Sequence, residues 1–152
     1  MSDENRIAAS RAEKARKLYL EGYNCAQAVA LAFADLTGTD VETVKLASAP
    51  FGGGMGRRGE VCGAVSGMLM TLSFVRRRDT LDAREKAALY NEERVIAERF
   101  RTRAGSILCR DLLMMRAGKK EGGGLACPDI VALAAEIIEN EVIAASHGGN
   151  KQ

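Results

Sequence analysis

Four cysteines carry the most distinctive chemistry of this chain. They are Cys25, Cys62, Cys109 and Cys127, separated by 37, 47 and 18 positions. No two of them form a C-x-x-C pair, so the spacing excludes zinc fingers, bacterial ferredoxin clusters and thioredoxin-type motifs as local patterns. The single histidine, His147, lies in a polar tail, which argues against a histidine-based metal or acid–base site. Any chemistry that the cysteines share must therefore depend on the fold.

The cysteines lie at or near predicted helix starts. Cys25 falls in the first turn of the second predicted helix, Cys62 in the first turn of the fourth, and Cys127 directly before the last. Free backbone amides and the helix dipole favour a thiolate at such positions. Cys109, next to Arg110, is predicted inside the sixth helix. The alternative interpretation is that all four are buried small apolar side chains, as free cysteines often are.

Two kinds of thiol chemistry suit four dispersed cysteines. They could ligate an iron–sulfur cluster or another thiophilic metal ion, or they could cycle between dithiol and disulfide. Gly63 and Gly67 give the helix after Cys62 a small-residue face, although glycine inside a helix costs about 1 kcal/mol relative to alanine. Close approach of another helix, or of a cofactor beside Cys62, would offset that cost. Gly63 and Gly67 are therefore candidate cofactor-binding residues.

The glycine-rich stretch before Cys62 has the spelling of a nucleotide-binding loop. Residues 54–59 read GMGRRG and match G-x-G-x-x-G. Residues 41–49 before it are predicted to be helical, so the β-strand that a dinucleotide-binding loop requires is missing, and no Walker motif is present. We interpret residues 52–59 as a tight turn that sets Cys62 at the head of a buried helix. Arg57 and Arg58 either solvate the surface or bind an anionic partner.

Apolar residues recur with helical periodicity, interrupted by glycine and proline. No alternating strand pattern, internal repeat or linker divides the chain. The predicted fold is all-α: a single-domain bundle of about six to seven helices over residues 1–152, with a central small-residue helix. The predicted helices cover about residues 3–20, 24–36, 40–49, 61–76, 80–101, 105–118 and 128–145, and the tail over residues 147–152 is expected to fray.

Local signals mark several of these boundaries. Asn24 and Gln27 form a predicted capping box at the start of the second helix, and Asp40 is positioned to cap the third. Gly22 is expected to end the first helix, and Gly38 fits the position that follows the second. Both prolines of the chain also lie at predicted helix boundaries.

Composition narrows the class of protein. The chain has 152 residues, of which 47% are apolar and 28% charged, and its formal net charge is +2. This charge is too small to indicate nucleic-acid binding on its own. The longest uncharged run, residues 61–75, would span about 22 Å as a helix, less than the roughly 30 Å of a bilayer core. The N-terminal residues do not have the pattern of a secretory signal, so we expect a cytoplasmic protein without membrane insertion. Structural disulfides are less common in such proteins.

The segments around the cysteines resemble one protein family. The chain is similar over nearly its whole length to the C_GCAxxG_C_C family, and each of the four cysteines matches one of the family's four. The most specific part is residues 62–67, CGAVSG. The resemblance implies a redox-active protein, and the position of family genes near transporter genes suggests a link to transport. The matching segments are GYNCAQAV at Cys25, FGGGMGRRGEVCGAVSG at Cys62, CRDLL at Cys109 and ACPDIVALAAEII at Cys127.

Two functions are open at this point. The first is a protein, enzymatic or not, that uses the four cysteines for redox chemistry or to bind a metal ion or an iron–sulfur cluster, with a separate redox partner. The second is a non-enzymatic helical binding module that docks to a transporter or forms a homodimer through the charged helix at residues 80–101. That helix could equally pack on the protein's own core. A hydrolase is not supported, since residues 63–67 are not G-x-S-x-G and no core histidine could activate a serine.

Overall fold

Helices dominate the computed structural model, which describes residues 10–118 and 124–144. The prediction of an all-α helical bundle is confirmed. Short 3₁₀ turns cover Ala34–Leu36 and Ala49–Phe51, a single helical turn covers Gly52–Met55, and a π-helical segment, Ile138–Ala144, extends the last helix. The α-helices are α1 (Arg11–Leu20), α2 (Cys25–Leu31), α3 (Val41–Ser48), α4 (Gly63–Arg76), α5 (Ala83–Ala104), α6 (Cys109–Arg116) and α7 (Cys127–Ile137).

Side-chain caps begin two of these helices where the sequence predicts them. The Gln27 amide donates to the Asn24 side chain at 2.9 Å, and the Asn24 amide donates to the Gln27 side chain at 3.1 Å, which completes the capping box of α2. The Thr43 amide donates to Asp40 at 2.8 Å and so begins α3. Gly22, with φ of +118°, follows the end of α1 as expected.

The end of α2 differs from the prediction. The helix ends at Leu31 rather than near Leu36, because Phe33 leaves the helical region with φ of −117° and ψ of 19°. This break directs the Phe33 ring into the core, where it is fully buried. Gly38 has φ of +74° but follows the 3₁₀ turn, not the α-helix itself. Burial of Phe33 in the core thus ends α2 earlier than the helical periodicity of its sequence predicts.

The fifth and sixth helices are also displaced from their predicted bounds. α5 begins at Ala83 because Asp82 accepts from the first amides of the helix, and it continues to Ala104. Gly105, with φ of +104°, ends α5 instead of opening α6. α6 begins only at Cys109, so this cysteine is the first residue of its helix and not an internal one. This corrects the predicted position of Cys109.

The start of α4 is set by a contact between loops. Val61, predicted as the first helical residue, pairs instead with Leu108 in an isolated antiparallel bridge. The Cys62 amide donates to the Ile107 carbonyl at 2.7 Å. The helix therefore begins at Gly63. The bridge ties the residues before α4 to the residues before α6.

The predicted central small-residue helix is α4. It contacts α2, α5 and α7, while α1 packs mainly on α7. Buried side chains on α4 range from Ala64 to Met68 and Leu72, and the largest fully buried side chains of the core include Phe33 and Phe100. Alanine-rich α2 and α7 allow short distances between helix axes, which a core with few aromatic residues requires.

The contact between α2 and α4 depends on a glycine. A Cβ atom built on Gly67 would lie 2.7 Å from the Ala26 carbonyl oxygen and 3.0 Å from Val29 Cβ. The first distance is shorter than real Cβ contacts, and the second is tighter than most of them, so Val29 would have to shift. The cost of a glycine inside α4 is therefore offset by close packing against α2, one of the two explanations that the sequence offered.

α5 packs on the protein's own core through part of its apolar face. Leu89 and Ile96 are buried, whereas Val95 is exposed, as is Leu81 just before the helix. At its N-terminal half, Glu92 accepts from Arg76 at 2.9 Å and from Arg78 at 3.1 Å, which joins α5 to the end of α4. Docking to a transporter or to a second copy through α5 stays a prediction. Within the described ranges, no helix is both long enough and apolar enough to cross a membrane.

We predict that Gly67→Ala destabilises the fold by about 1–3 kcal/mol, the usual cost of overpacking a filled core. The added methyl group would push α4 away from Ala26 of α2. Urea unfolding followed by circular dichroism measures the change. Ser73→Ala, on the exposed side of α4, is the matched control and should shift the free energy of unfolding by less than about 0.5 kcal/mol. Equal stability of the two variants would contradict the packing role of Gly67.

Candidate thiol site

All four cysteines line one cavity of about 970 Å³. Cys25 is the first residue of α2, Cys109 of α6 and Cys127 of α7, and Cys62 directly precedes α4. The fold therefore brings together four residues that are up to 102 positions apart in the sequence.

Cys25 and Cys62 form a hydrogen-bonded pair of thiols. The Cys62 thiol donates to the Cys25 sulfur and is the main cause that lowers the pKa of Cys25 to about 6. Backbone amides of Gly53, Ala26 and Cys25 itself also donate to this sulfur, and together they outweigh the opposing effect of burial. Cys25 is therefore mostly thiolate at neutral pH, where an ordinary cysteine, with a pKa of about 8.5, is mostly thiol.

The absence of a side chain at Gly63 makes this pair possible. A Cβ atom on Gly63 would overlap the Cys25 sulfur and lie 2.8 Å from the Phe51 carbonyl oxygen. The capping box at Asn24 and Gln27 holds the start of α2 in place, and Asn24 also donates to the Ala49 carbonyl at 2.9 Å. Local caps and a missing Cβ atom thus position the Cys25 sulfur against the start of α4.

Cys62 has the opposite character. Only 5% of its surface is exposed, whereas Cys25 is partly exposed. The hydrogen bond to Cys25 is the largest cause that raises the pKa of Cys62, followed by burial and by the negative charge of the Cys25 thiolate. One negative charge is shared by the two sulfurs, and it resides on Cys25. The arrangement gives one accessible thiolate and one buried, protonated thiol.

The glycine turn, Gly52–Met55, lies beside this pair and is bent by left-handed backbone conformations. Gly53 and Gly54 have φ of +68° and +73°, which interrupts the helical turn. A Cβ atom on Gly54 would lie 2.6 Å from the Glu60 amide nitrogen and 2.8 Å from Cys109 Cβ. The turn therefore lets the Gly53 amide reach the Cys25 sulfur and lets α6 approach closely. The sequence interpretation of this loop as a tight turn is consistent with this geometry.

Cys109 and Cys127 line the cavity without joining the hydrogen-bonded pair. Burial raises the pKa of Cys109, and the negative fields of Cys25 and Cys127 add to the effect. Tyr19 of α1 is hydrogen-bonded to Cys127, and burial followed by this contact raises the pKa of the phenol to about 12. Tyr19 therefore keeps its proton and can donate a hydrogen bond to the Cys127 sulfur.

Comparison with known proteins identifies the family of the chain. A sequence model of the family described as "Putative redox-active protein (C_GCAxxG_C_C)" matches residues 23–141. The chain belongs to this family. No curated protein and no solved structure is similar enough to the chain to be matched. The matched range includes all four cysteines and the whole cavity wall except Tyr19 and Gly22.

The cysteines of this family member do not meet as one set of metal ligands. Over residues 10–118 and 124–144, no three His, Cys, Asp or Glu side chains are grouped so as to hold a metal ion. Instead, Cys25 and Cys62 contact each other, and Cys109 and Cys127 lie elsewhere on the cavity wall. Ligation of a metal ion or an iron–sulfur cluster by the four cysteines stays a prediction.

The other residues that the sequence analysis selected have different positions. Gly63 and Gly67 provide close contacts between α2 and α4, and a role for them in cofactor binding stays a prediction. Arg57 and Arg58 both line the cavity. Tyr19 also lines it, and sequence reasoning missed this because periodicity assigned the residue only to the inner face of α1. Arg110 and Arg116 of α6 were missed too, since charges on a short helix predict only a solvated face.

We predict that iodoacetamide alkylates Cys25 of this family member with a pH midpoint near 6, because only the thiolate reacts. The rate should fall as the pH drops below this midpoint and stay nearly constant above it. Peptide mapping after short exposures identifies the alkylated residue and gives the rate at each pH.

Two variants of Cys62 provide the control. Cys62→Ala removes the donor and should move the midpoint towards about 8.5, the ordinary value for cysteine. Cys62→Ser keeps a hydroxyl donor and should give a midpoint between those of wild type and Cys62→Ala. A wild-type midpoint near 8.5, or one that neither variant changes, would contradict the assigned hydrogen bond.

Proposed function

We propose that the protein is a thiol–disulfide oxidoreductase in which Cys25 is the nucleophile and Cys62 is the resolving thiol. The observation that carries the proposal is that Cys25 and Cys62 line the same cavity, with the Cys25 sulfur packed against Gly63 directly after Cys62, where the Cys62 thiol lowers the pKa of Cys25. It combines a thiolate at neutral pH, exposure to a cavity and a second thiol in contact, which are the three requirements of dithiol exchange. Membership of a family described as redox-active supports the same class of function.

The first step of the proposed reaction is attack of the Cys25 thiolate on a substrate disulfide. A bond forms between the Cys25 sulfur and one substrate sulfur, the substrate S–S bond breaks, and the other substrate sulfur leaves as a thiolate that takes up a proton. The product is a mixed disulfide at Cys25. Tyr19, protonated at the cavity wall, is a nearby hydrogen-bond donor for negative charge in the cavity.

The second step is attack of Cys62 on the Cys25 sulfur. Cys62 loses its proton and forms the Cys25–Cys62 disulfide, and the second substrate sulfur leaves as a thiolate. In total, the protein pair, which starts as one thiolate and one thiol, loses two electrons and one proton. The substrate disulfide gains the two electrons and becomes two thiols by taking up that proton and a second one from solvent. A separate dithiol partner would reverse the reaction at the protein disulfide and return it to the reduced state.

The hydrogen-bonded pair itself explains the order of these steps. The proton on Cys62 is held mainly by the hydrogen bond to the Cys25 thiolate and by that thiolate's charge. Once Cys25 is part of a mixed disulfide, its charge is gone and this hydrogen bond is lost. The pKa of Cys62 then falls towards its ordinary value, so the buried thiol becomes a nucleophile only after the first step. This order of steps disfavours attack of Cys62 on the substrate before Cys25 has reacted.

We predict that a small neutral disulfide, bis(2-hydroxyethyl) disulfide, converts the reduced protein to a form with one Cys25–Cys62 disulfide that dithiothreitol reverses. Cys62→Ser should stop at the mixed disulfide on Cys25. Cys25→Ser should lower the reaction rate at pH 7 by about tenfold or more, since it removes the thiolate that attacks the substrate disulfide. Non-reducing peptide mapping by mass spectrometry identifies each product.

The double variant Cys109→Ser/Cys127→Ser is the control, because it removes the two other cavity thiols but leaves the proposed pair intact. It should form the Cys25–Cys62 disulfide at nearly the wild-type rate. A disulfide between Cys109 and Cys127 in the wild type, or unchanged reactivity of Cys25→Ser, would overturn the assignment. Iron, zinc and sulfide are measured on the same protein purified without oxygen. A stoichiometric metal lost in all single cysteine variants would favour metal ligation instead.

A further inference from the structure

Positive charge surrounds the thiols on the cavity wall. The described residues that line the cavity include Arg57 and Arg58 from the loop after the glycine turn and Arg110 and Arg116 from α6. No aspartate or glutamate is among them. Four cations therefore face a space in which the Cys25 thiolate is the main negative charge. For a chain whose net charge is only +2, this local imbalance is large.

The guanidinium groups have little competition from protein carboxylates. Arg57 and Arg58 are exposed and form no ion pair with any carboxylate in residues 10–118 or 124–144. Arg110 faces Glu60 at 3.7 Å, a long and exposed pair. Arg116 donates from Nε to the Leu125 carbonyl oxygen at 3.1 Å, which leaves its terminal nitrogens for another acceptor. These groups can therefore bind an incoming anion without first breaking a strong salt bridge.

The cavity has the size and the walls of a small-molecule site. Its volume of about 970 Å³ lies at the upper end of the roughly 300–1,000 Å³ that is usual for such sites. The side chains of Tyr19, Tyr23, Leu112, Leu113 and Ile130 form apolar parts of the wall. A ligand that suits this cavity has a short apolar body with charged ends.

We propose that the substrate of the Cys25–Cys62 pair is a small disulfide, or the corresponding thiol, that carries carboxylate or phosphate groups. The proposal rests on the proposed function and adds the class of substrate to it. The anionic ends of the molecule contact Arg57, Arg58, Arg110 and Arg116, and its sulfur lies against Cys25. Planar guanidinium groups hold carboxylate and phosphate oxygens with two parallel hydrogen bonds, which lysine cannot do.

The charges also act on the reaction. A thiolate nucleophile repels an anionic disulfide in water, and the four cavity guanidinium groups offset this repulsion. The same cations stabilise the negative charge that appears on the departing sulfur. Clefts lined by one sign of charge raise the rate of association of opposite charge by about 10–1,000-fold at low salt. The cavity therefore favours anionic disulfides over neutral ones of the same size.

The test compares three disulfides of similar size. They are 3,3′-dithiodipropionate with two carboxylates, bis(2-hydroxyethyl) disulfide with no charge, and cystamine with two ammonium groups. The rate at which each oxidises the reduced protein is divided by its rate with dithiothreitol, which cancels its intrinsic reactivity. At low salt, we expect the normalised rates to fall in the order given, with the first about tenfold above the second. Added salt should reduce this ratio.

A pair of double variants tests whether the cavity arginines cause the preference. Arg57→Gln/Arg58→Gln should lower the ratio of anionic to neutral disulfide by at least about fivefold, since it removes two of the four cavity cations. Arg84→Gln/Arg94→Gln removes the same net charge from exposed positions of α5, which do not line the cavity, and should keep the wild-type ratio. Use of a ratio removes any common effect of the substitutions on the Cys25 thiolate.

A binding experiment without redox chemistry completes the test. The thioether 3,3′-thiodipropionate has the carboxylates but no S–S bond, and it should protect Cys25 from iodoacetamide, whereas neutral thiodiglycol should not. Inorganic phosphate is added in a parallel arm. Protection by either anion supports the proposal, and the stronger one identifies the charged group of the substrate.

The possible failures are distinguishable. If no disulfide oxidises the Cys25–Cys62 pair, the proposed function fails. If all three disulfides oxidise it at equal normalised rates and neither anion protects Cys25, the function stands and the anionic substrate is overturned. An equal loss of preference in both double variants would also overturn the role of the cavity arginines, because net charge alone would then explain the effect.

Discussion

The contact between the first residues of α2 and the start of α4 determines most of what this protein can do. It brings the Cys25 sulfur into hydrogen-bonding contact with the Cys62 thiol. That contact exists only because the backbone at Gly63 leaves room for a sulfur atom and the backbone at Gly67 leaves room for the Ala26 carbonyl. Packing and chemistry are therefore not separable here, since the glycines that allow the helices to approach also allow the two sulfurs to meet.

The same contact divides one negative charge unequally between two chemically identical groups. Backbone amides of the glycine turn and of the start of α2 stabilise negative charge on Cys25, whereas Cys62 is buried at the start of α4 with only 5% of its surface exposed. Because the two sulfurs are largely shielded from water, ionisation of Cys62 is strongly disfavoured once Cys25 is a thiolate. The asymmetry of donors and exposure, rather than any difference in residue type, assigns different roles to the two cysteines.

How far the sequence predicted this arrangement depends on the range of the interactions involved. The capping box at Asn24 and the glycine after α1 are contacts between near neighbours, so their sequence signals were sufficient. The break of α2 at Phe33 and the late start of α6 at Cys109 arise from the core and from the Val61–Leu108 bridge. These are tertiary effects that periodicity does not contain. For the same reason, the sequence pointed to four cysteines at a shared site but not to the pairing of Cys25 with Cys62.

The positive charges of the cavity are a second feature that local sequence patterns could not predict. Arg57 and Arg58 follow a glycine turn, and Arg110 and Arg116 lie on a helix about fifty positions later. Each pair by itself resembles an ordinary solvated surface. They become one cationic wall because the Arg110 amide donates to the Gly59 carbonyl at 3.2 Å and the Cys109 amide to the Glu60 carbonyl at 2.7 Å. These two backbone hydrogen bonds place α6 beside the loop.

The G-x-G-x-x-G spelling of residues 54–59 gains a physical meaning from this geometry, although the loop lacks the strand that a dinucleotide site requires. Glycines with positive φ serve phosphate loops because they let backbone amides approach an anion closely. In this protein, the turn at Gly53 and Gly54 has the same backbone property, and the Gly53 amide donates to the Cys25 sulfur. The anion is a thiolate of the protein itself. Similar glycine spacing thus reflects a shared way of approaching negative charge rather than a shared ligand.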